Sequence, residues 1–259
     1  MKKYKSWAMK FLIGLIFMVS PLSGVQADDQ NTLLVGVNPE YRPLIYKENG
    51  KLTGIDHATA LEVGKSLHKE VVFKEYPWNE LIPALENGDI DVIMSGMSIT
   101  NARAERVNFS HPYLEIGQMA IIRTADTGRL NYPGSMLKSG VAVGVEADTT
   151  GADFAREYLI EAEIKPYTNT VEAFAALRAK EIDFFIHDAP TSWNLAQSKD
   201  TSDLMALYTP LTNESLAWAV NKNNDALLAE LNNALIALAR AGIIRQIQSH
   251  WIPVRIEVN

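Results

Sequence analysis

Ser95, Ser98 and Thr100 place three hydroxyls within six residues, in the stretch SGMSIT, and Arg103 follows three positions later. A guanidinium can grip a carboxylate through two parallel hydrogen bonds, so an arginine beside hydroxyls suits the capture of a small anion. The same residues also read as a strand end, a Ser/Thr helix cap and a solvated arginine, because the apolar run Ile90 to Met94 stops just before them. Asp188 is a second charged candidate, placed after the apolar run in IDFFIHDAP. Taken alone, an Asp at that place is more often a turn residue or a helix cap.

Short β-branched runs alternate with longer segments of helical period, which predicts an α/β architecture. TLLVGV (32 to 37), VVFKEY and DIDVIMSG read as strands. GIDHATALEVGKSL (54 to 67), with Ala58, Leu61 and Leu67 near one face, and WNELIPALENG read as helices, the latter ending at Gly88. SLAWAVNK (215 to 222) reads as one strand. The leucines at 227, 228, 231, 235 and 238 mark an amphipathic helix broken at Gly242.

The halves of the chain repeat each other. ALENGDIDVIMSG (84 to 96) aligns with ALRAKEIDFFIHD (176 to 188), and LLVGVN (33 to 38) with VAVGVE (141 to 146). Two similar α/β lobes are implied. Ligands of open α/β sheets bind beyond the carboxyl ends of the strands. The segments just past these strand ends, NPEY, SGMSIT, EADTTG and HDAPTSW, are all polar, and facing lobes would bring them to one cleft. The repeat pairs Asp188 with Gly96, which moves Asp188 from turn residue to site candidate.

The N-terminus, with lysines at 2, 3, 5 and 10, an apolar core from Phe11 to Val19 and Val25-Gln26-Ala27, predicts a secretory signal peptide over 1–27. With no cysteine in the chain, neither lipoprotein anchoring, nor disulfides, nor thiolate metal sites are expected. About 230 residues would remain, enough for two lobes of ordinary size. Losing those four lysines and no acid takes the formal charge from -7 to -11. Such acidity argues against nucleic acid and anionic lipid, whose binding needs clustered Lys and Arg. No membrane insertion is expected, and the partner should be small. The five histidines, at 57, 68, 111, 187 and 250, show no metal-ligand spacing, so no metal or cofactor is expected. GMSIT lacks the closing glycine of a nucleophile elbow, and no phosphate-binding loop motif is present.

Taken together, VGVNPEYRPLIYKENGKLTGID, WNELIPALENGDIDVIMSGMSITNARAERVNFSHPY, GVAVGVEADTTG, IDFFIHDAP and LNNALIALARAGIIRQIQSHW resemble the periplasmic amino-acid-binding proteins of ABC importers, solute-binding protein family 3. The resemblance implies a type II periplasmic-binding-protein fold: two lobes, each a central mostly parallel sheet flanked by helices, joined by two crossing hinge strands. Lobe I would comprise 28–116 plus 218–259, so that the C-terminal helices return to it, and lobe II 117–217. It further implies a periplasmic monomer that closes on an amino acid and delivers it to a membrane permease.

An α-amino acid needs a cationic fork and an anion, since burying either of its charges unpaired would cost several kcal/mol. Arg103 suits the carboxylate, with Thr100 capping its helix, while Asp188 suits the ammonium, aided by the Ser98 hydroxyl and the Gly96 carbonyl. The resemblance adds the backbone N–H groups of Ser98 and Thr150 to the carboxylate cradle, and a sandwich of the ligand side chain between Tyr41 and Trp78. Asn38 and Ser95 complete the candidate set. Asn38 stands where relatives that bind arginine or lysine carry aspartate, which favours a polar, uncharged ligand. Asp148 stands where glycine is usual, and with Glu146 it could restore negative potential or face solvent. His187 before Asp188 is an arrangement also found in glutamine receptors. The enzymatic alternative, a cyclohexadienyl dehydratase, needs a glutamate proton donor three residues after the aspartate. Here that residue is Thr191, so an enzyme is not expected. A sensor domain fused to a kinase or lytic enzyme is also not expected, the chain ending at Asn259.

Overall fold

The computed structural model describes residues 31–195 and 201–252. The expected signal peptide, 1–27, and the ends of the expected lobe I, 28–30 and 253–259, lie outside the described residues. The chain begins β1 (Thr32–Val37), β2 (Glu40–Tyr41), β3 (Ile45–Glu48), β4 (Lys51–Thr53), α1 (Ile55–Leu67), β5 (Glu70–Glu75), α2 (Leu81–Asn87) and β6 (Val92–Ile93). It continues with α3 (Asn101–Arg106), β7 (Val107–Phe109), β8 (Leu114–Ile116), β9 (Gln118–Arg123), β10 (Ala142–Glu146), α4 (Thr150–Tyr158), β11 (Glu163–Tyr167) and α5 (Thr170–Arg178). The last elements are β12 (Phe184–Asp188), α6 (Ala189–Leu195), β13 (Leu204–Ala206), β14 (Glu214–Leu216), β15 (Ala219–Asn221), α7 (Asp225–Arg240) and α8 (Ile243–Trp251).

Two five-stranded sheets organise the fold, ordered β5-β1-β6-β15-β7 and β11-β10-β12-β9-β13. In each, one strand runs against the other four: β15 in the first and β9 in the second. Both reversed strands are the first sheet strand after the chain crosses between lobes. The crossing segments β8 and β14 pair antiparallel, Leu114 opposite Leu216 and Ile116 opposite Glu214. Two covalent links that also hydrogen-bond to each other make a hinge rather than a flexible tether.

The internal repeat has a packing cause. A side chain at Gly36 would collide with Ile90, its Cβ 2.2 Å from Cδ1, and one at Gly144 would collide with Ile182 at 2.5 Å. The following aspartates tie the same strands: Asp91 accepts from Leu34 N at 2.8 Å and Asp183 from Ala142 N at 3.1 Å. The V-G-V and I-D motifs are thus the two halves of one contact, made once in each lobe. It sets the register of the central strands, and with it the placing of Asn38 and Glu146 at equivalent strand ends.

Each sheet is buried on both faces, so its central strands read as unbroken apolar runs. Phe184 and Phe185 are fully buried on opposite faces of β12, in separate clusters, and Val92 and Ile93 divide in the same way across β6. α7 and α8, bent by 76° at the Gly242 break, pack with α1 against the first sheet. Among the described residues, no single helix is long and apolar enough to cross a membrane.

Two expectations fail in detail. SLAWAVNK is not one strand: it divides into the hinge strand β14 and the sheet strand β15, with buried Ala217 and Trp218 between them. α1 buries Ile55, Asp56, Thr59, Ala60, Val63 and Gly64, whereas Leu61 is exposed. Its apolar residues are spread around the helix, and the buried face includes a carboxylate and a glycine that no hydrophobic period would select.

Candidate functional site

The cleft lies beyond the carboxyl ends of β1, β6, β10 and β12, where the repeat places the polar loops. Asn38, Tyr41, Trp78, Ser95, Gly96, Ser98 and Arg103 line one cavity from the side of the first sheet, and Thr150 and Asp188 line it from the other. Arg103 and Asp188 therefore face a common space, and the Asp188 charge favours the protonated guanidinium of Arg103 against the cost of its burial.

Thr100 has a different place. It is not among the cavity-lining residues; its Oγ1 accepts from Arg103 N at 3.2 Å and caps α3. That cap fixes where α3 starts and so where Arg103 projects. The guanidinium donates to Ser98 O at 2.9 Å and, across the cleft, to Asp148 O at 3.3 Å, and lies 5.2 Å from the Trp78 ring centroid. Ser95 is buried and accepts from Asn38 N at 2.8 Å, locking the two strand ends together. The Ser98 hydroxyl donates to Glu214 of the hinge strand at 2.6 Å.

Gly96 is required twice. Its φ of +65° lies in the left-handed region, and an added Cβ would sit 2.5 Å from Tyr41 Cε1. Its amide donates to buried Asp56 at 2.7 Å. Burial raises the Asp56 pKa to about 7, against the pull of the Tyr113 hydroxyl and the Gly96 amide.

Asp188 ends β12 and accepts from the Tyr41 hydroxyl of the facing lobe and from the side-chain amide of Gln118, its cross-strand partner in β9. The same amide reaches Thr150 Oγ1 at 2.9 Å. Burial raises the pKa of Asp188; the His187 charge and the Tyr41 hydrogen bond oppose this, and Glu214 adds to it. His187 beside it is buried, which lowers its pKa, but the Glu146 hydrogen bond and the charges of Asp188 and Glu146 bring the net shift upward. His187 Nε2 lies 3.1 Å from Glu146 Oε2, and Nδ1 2.9 Å from Thr191 Oγ1.

Five further lining residues, Glu40, Gln118, Glu146, Thr149 and His187, were not in the candidate set drawn from the sequence. Gln118 had a legible signal: it is a polar residue at the head of QMAIIR, a strand buried throughout. Thr149 caps α4 by accepting from Ala152 N at 3.2 Å. Asp148 is exposed and holds a φ of +59°, in the left-handed region that favours glycine. It meets the cleft through its backbone carbonyl, which also accepts from Trp78 Nε1 at 2.9 Å.

The family model of bacterial extracellular solute-binding proteins, family 3, matches residues 33–254. The L-cystine-binding protein of Escherichia coli (strain K12) is 25% identical over 225 residues, 86% of this chain and 83% of the relative. Among solved structures, an ancestral amino-acid-binding protein described as a precursor of cyclohexadienyl dehydratase superposes with a TM-score of 0.81 at 31% identity. It covers 86% of this chain and 96% of its own. The putative binding component of an ABC transporter from Wolinella succinogenes, complexed with lysine, gives a TM-score of 0.82 at 28% identity, covering 88% and 97%. With its two hinged lobes, its paired sheets and a match spanning nearly all the described residues, the chain belongs to family 3 of the bacterial extracellular solute-binding proteins.

Proposed function

We propose that the chain captures a polar α-amino acid between its lobes, outside the cytoplasm, and hands it to the membrane permease of an ABC importer as a monomer. The observation that carries this is the presence of Arg103 and Asp188 on opposite walls of one cavity. They form a cationic fork and a carboxylate, the two partners a zwitterion needs. The names of the relatives support an amino-acid ligand.

The ligand docks first on the lobe of 28–116 and 218–259, its carboxylate on Arg103 and Ser98 and its side chain between Tyr41 and Trp78. The lobe of 117–217 then closes, bringing Thr150 to the carboxylate and Asp188 to the ammonium. Contacts made only in the shut state drive closure. Asn38 in place of a carboxylate supports an uncharged side chain. A cationic side chain is the second reading, favoured by Glu40 and Glu146 in the cavity wall and by the lysine bound to one structural relative.

The dehydratase alternative is disfavoured by position 191. Thr191 is buried against His187, lines no part of the cavity and is a poor proton donor near neutral pH. The decisive experiment is a thermal-shift screen against the twenty amino acids, cystine, prephenate and arogenate. A ligand at a hundred times its dissociation constant stabilises the fold by about 2.7 kcal/mol. A response to amino acids supports the proposal, and a response to prephenate or arogenate alone overturns it.

A further inference from the structure

The cavity that holds Arg103 and Asp188 continues outward into a second pocket between the lobes, and the two share four wall residues: Asn38, Glu40, Trp78 and Glu146. Arg103 and Asp188 line the inner cavity alone. A ligand anchored by its α-carboxylate and α-ammonium to that pair must therefore send its side chain towards the shared ring.

The members of the ring differ in what they have left to offer. Asn38 is committed to its own lobe, its amide donating to Tyr76 O at 3.3 Å and its Oδ1 accepting from Glu40 N at 3.2 Å. The indole N–H of Trp78 is held by Asp148 O, leaving the ring face. Glu40 is exposed at the rim. Glu146 is different: its side chain is only 15% exposed, and the facing His187, itself fixed by Thr191, occupies Oε2 and leaves Oε1 as an acceptor. Glu146 is also the repeat-related counterpart of Asn38: Glu146 ends β10 and Asn38 directly follows β1, the V-G-V strand of each lobe. A carboxylate lacking at position 38 is thus present on the opposite wall at the equivalent place.

We infer that Glu146, oriented by His187, is the specificity-determining group for the ligand side chain, admitting side chains that end in N–H donors and excluding those that end in a carboxylate. This rests on the amino-acid reading above. A terminal amide, amine or guanidinium satisfies Oε1 by hydrogen bonding, and a cationic end adds charge attraction. A terminal carboxylate would meet Glu146 with Asp188 and Glu40 nearby, a like-charge contact in a partly desolvated wall, and an apolar end would leave the acceptor unpaired. Discrimination here acts by rejecting the wrong group as much as by attracting the right one.

Two near-isosteric pairs test this by calorimetry on the mature chain: L-glutamine with L-glutamate, and L-lysine with L-norleucine. In each pair that binds, the member ending in N–H is expected to bind at least tenfold tighter, and Glu146→Gln is expected to narrow that ratio at least fivefold. Wild-type protein that binds glutamate or norleucine as tightly as its counterpart overturns the inference, whether or not the variant folds. An unchanged ratio in a variant that keeps the wild-type thermal midpoint overturns it too, as does a thermal-shift response confined to amino acids without a distal N–H. A chain that responds to no amino acid overturns the amino-acid reading itself.

Discussion

The Tyr41 hydroxyl donates to Asp188 Oδ2 across the cleft, joining the short strand β2 of one lobe to the last residue of β12 in the other. The Tyr41 ring also meets His187 edge-on, with centroids 5.3 Å apart. A hydrogen bond to a charged acceptor contributes about 1.5–3 kcal/mol, and here it exists only while the lobes touch. Tyr41→Phe is therefore expected to shift the ligand-free protein towards open forms roughly tenfold or more. The check is the radius of gyration in solution scattering, which should rise in the variant. An unchanged radius would mean that the remaining contacts of Trp78 and Arg103 with Asp148 O are enough to hold the cleft.

Arg103 links three parts of the site, because its guanidinium reaches Ser98 O, Asp148 O and the Trp78 ring. Truncating one member of a buried charge pair costs about 2–5 kcal/mol. Arg103→Ala is expected to lose at least about a hundredfold in amino-acid affinity by calorimetry. Arg103→Lys should recover little, since an ammonium cannot reproduce the planar fork. Binding by the alanine variant at the wild-type level would remove the carboxylate from this wall.

Asp56 provides a pH test of stability rather than binding. Its carboxyl titrates near pH 7 in the fold against an ordinary value of 3.8. The folded state therefore holds a proton that the unfolded chain releases, and stability is lost as pH rises from about 4 to about 7. The loss is of the order of 2–4 kcal/mol. Asp56→Asn keeps an oxygen for the Gly96 amide without the buried charge. It is expected to be more stable than wild type in urea unfolding at pH 8, with the advantage gone by pH 4. A variant destabilised equally at both pH values would show that Asp56 does not titrate between them in the fold and that the amide misfits the site.

Much of this site was legible because its causes are local. Thr100 caps the turn that carries Arg103, and the V-G-V and I-D motifs repeat because each glycine receives an isoleucine and each aspartate ties a strand. What escaped the sequence depends on pairing between distant strands. Gln118 belongs to the site because β9 runs antiparallel to β12 and sets it opposite Asp188; the place of Glu146, which the sequence left open between cleft and solvent, is likewise decided by where the two strand ends meet. The division of 215–222 was hidden for a similar reason: two consecutive apolar runs serve different sheets, and nothing in their composition marks the change.

Asp188 joins binding to acidity. Burial holds its pKa above the usual carboxylate range, despite the His187 charge and the hydrogen bonds from Tyr41 and Gln118, while Glu214 pushes it in the same direction as burial. An ammonium binds the ionised carboxyl, so wild-type affinity should fall as the pH drops through that raised pKa, approaching tenfold per unit below it. Asp188→Asn should bind amino acids more weakly at pH 7, and its affinity should no longer decline in that acid range. Calorimetry of both proteins from pH 4 to pH 8 measures the two slopes. If the asparagine variant kept the wild-type acid limb, the titrating group would have to be another one, with His187 the first candidate, and the ammonium would have to be assigned away from Asp188.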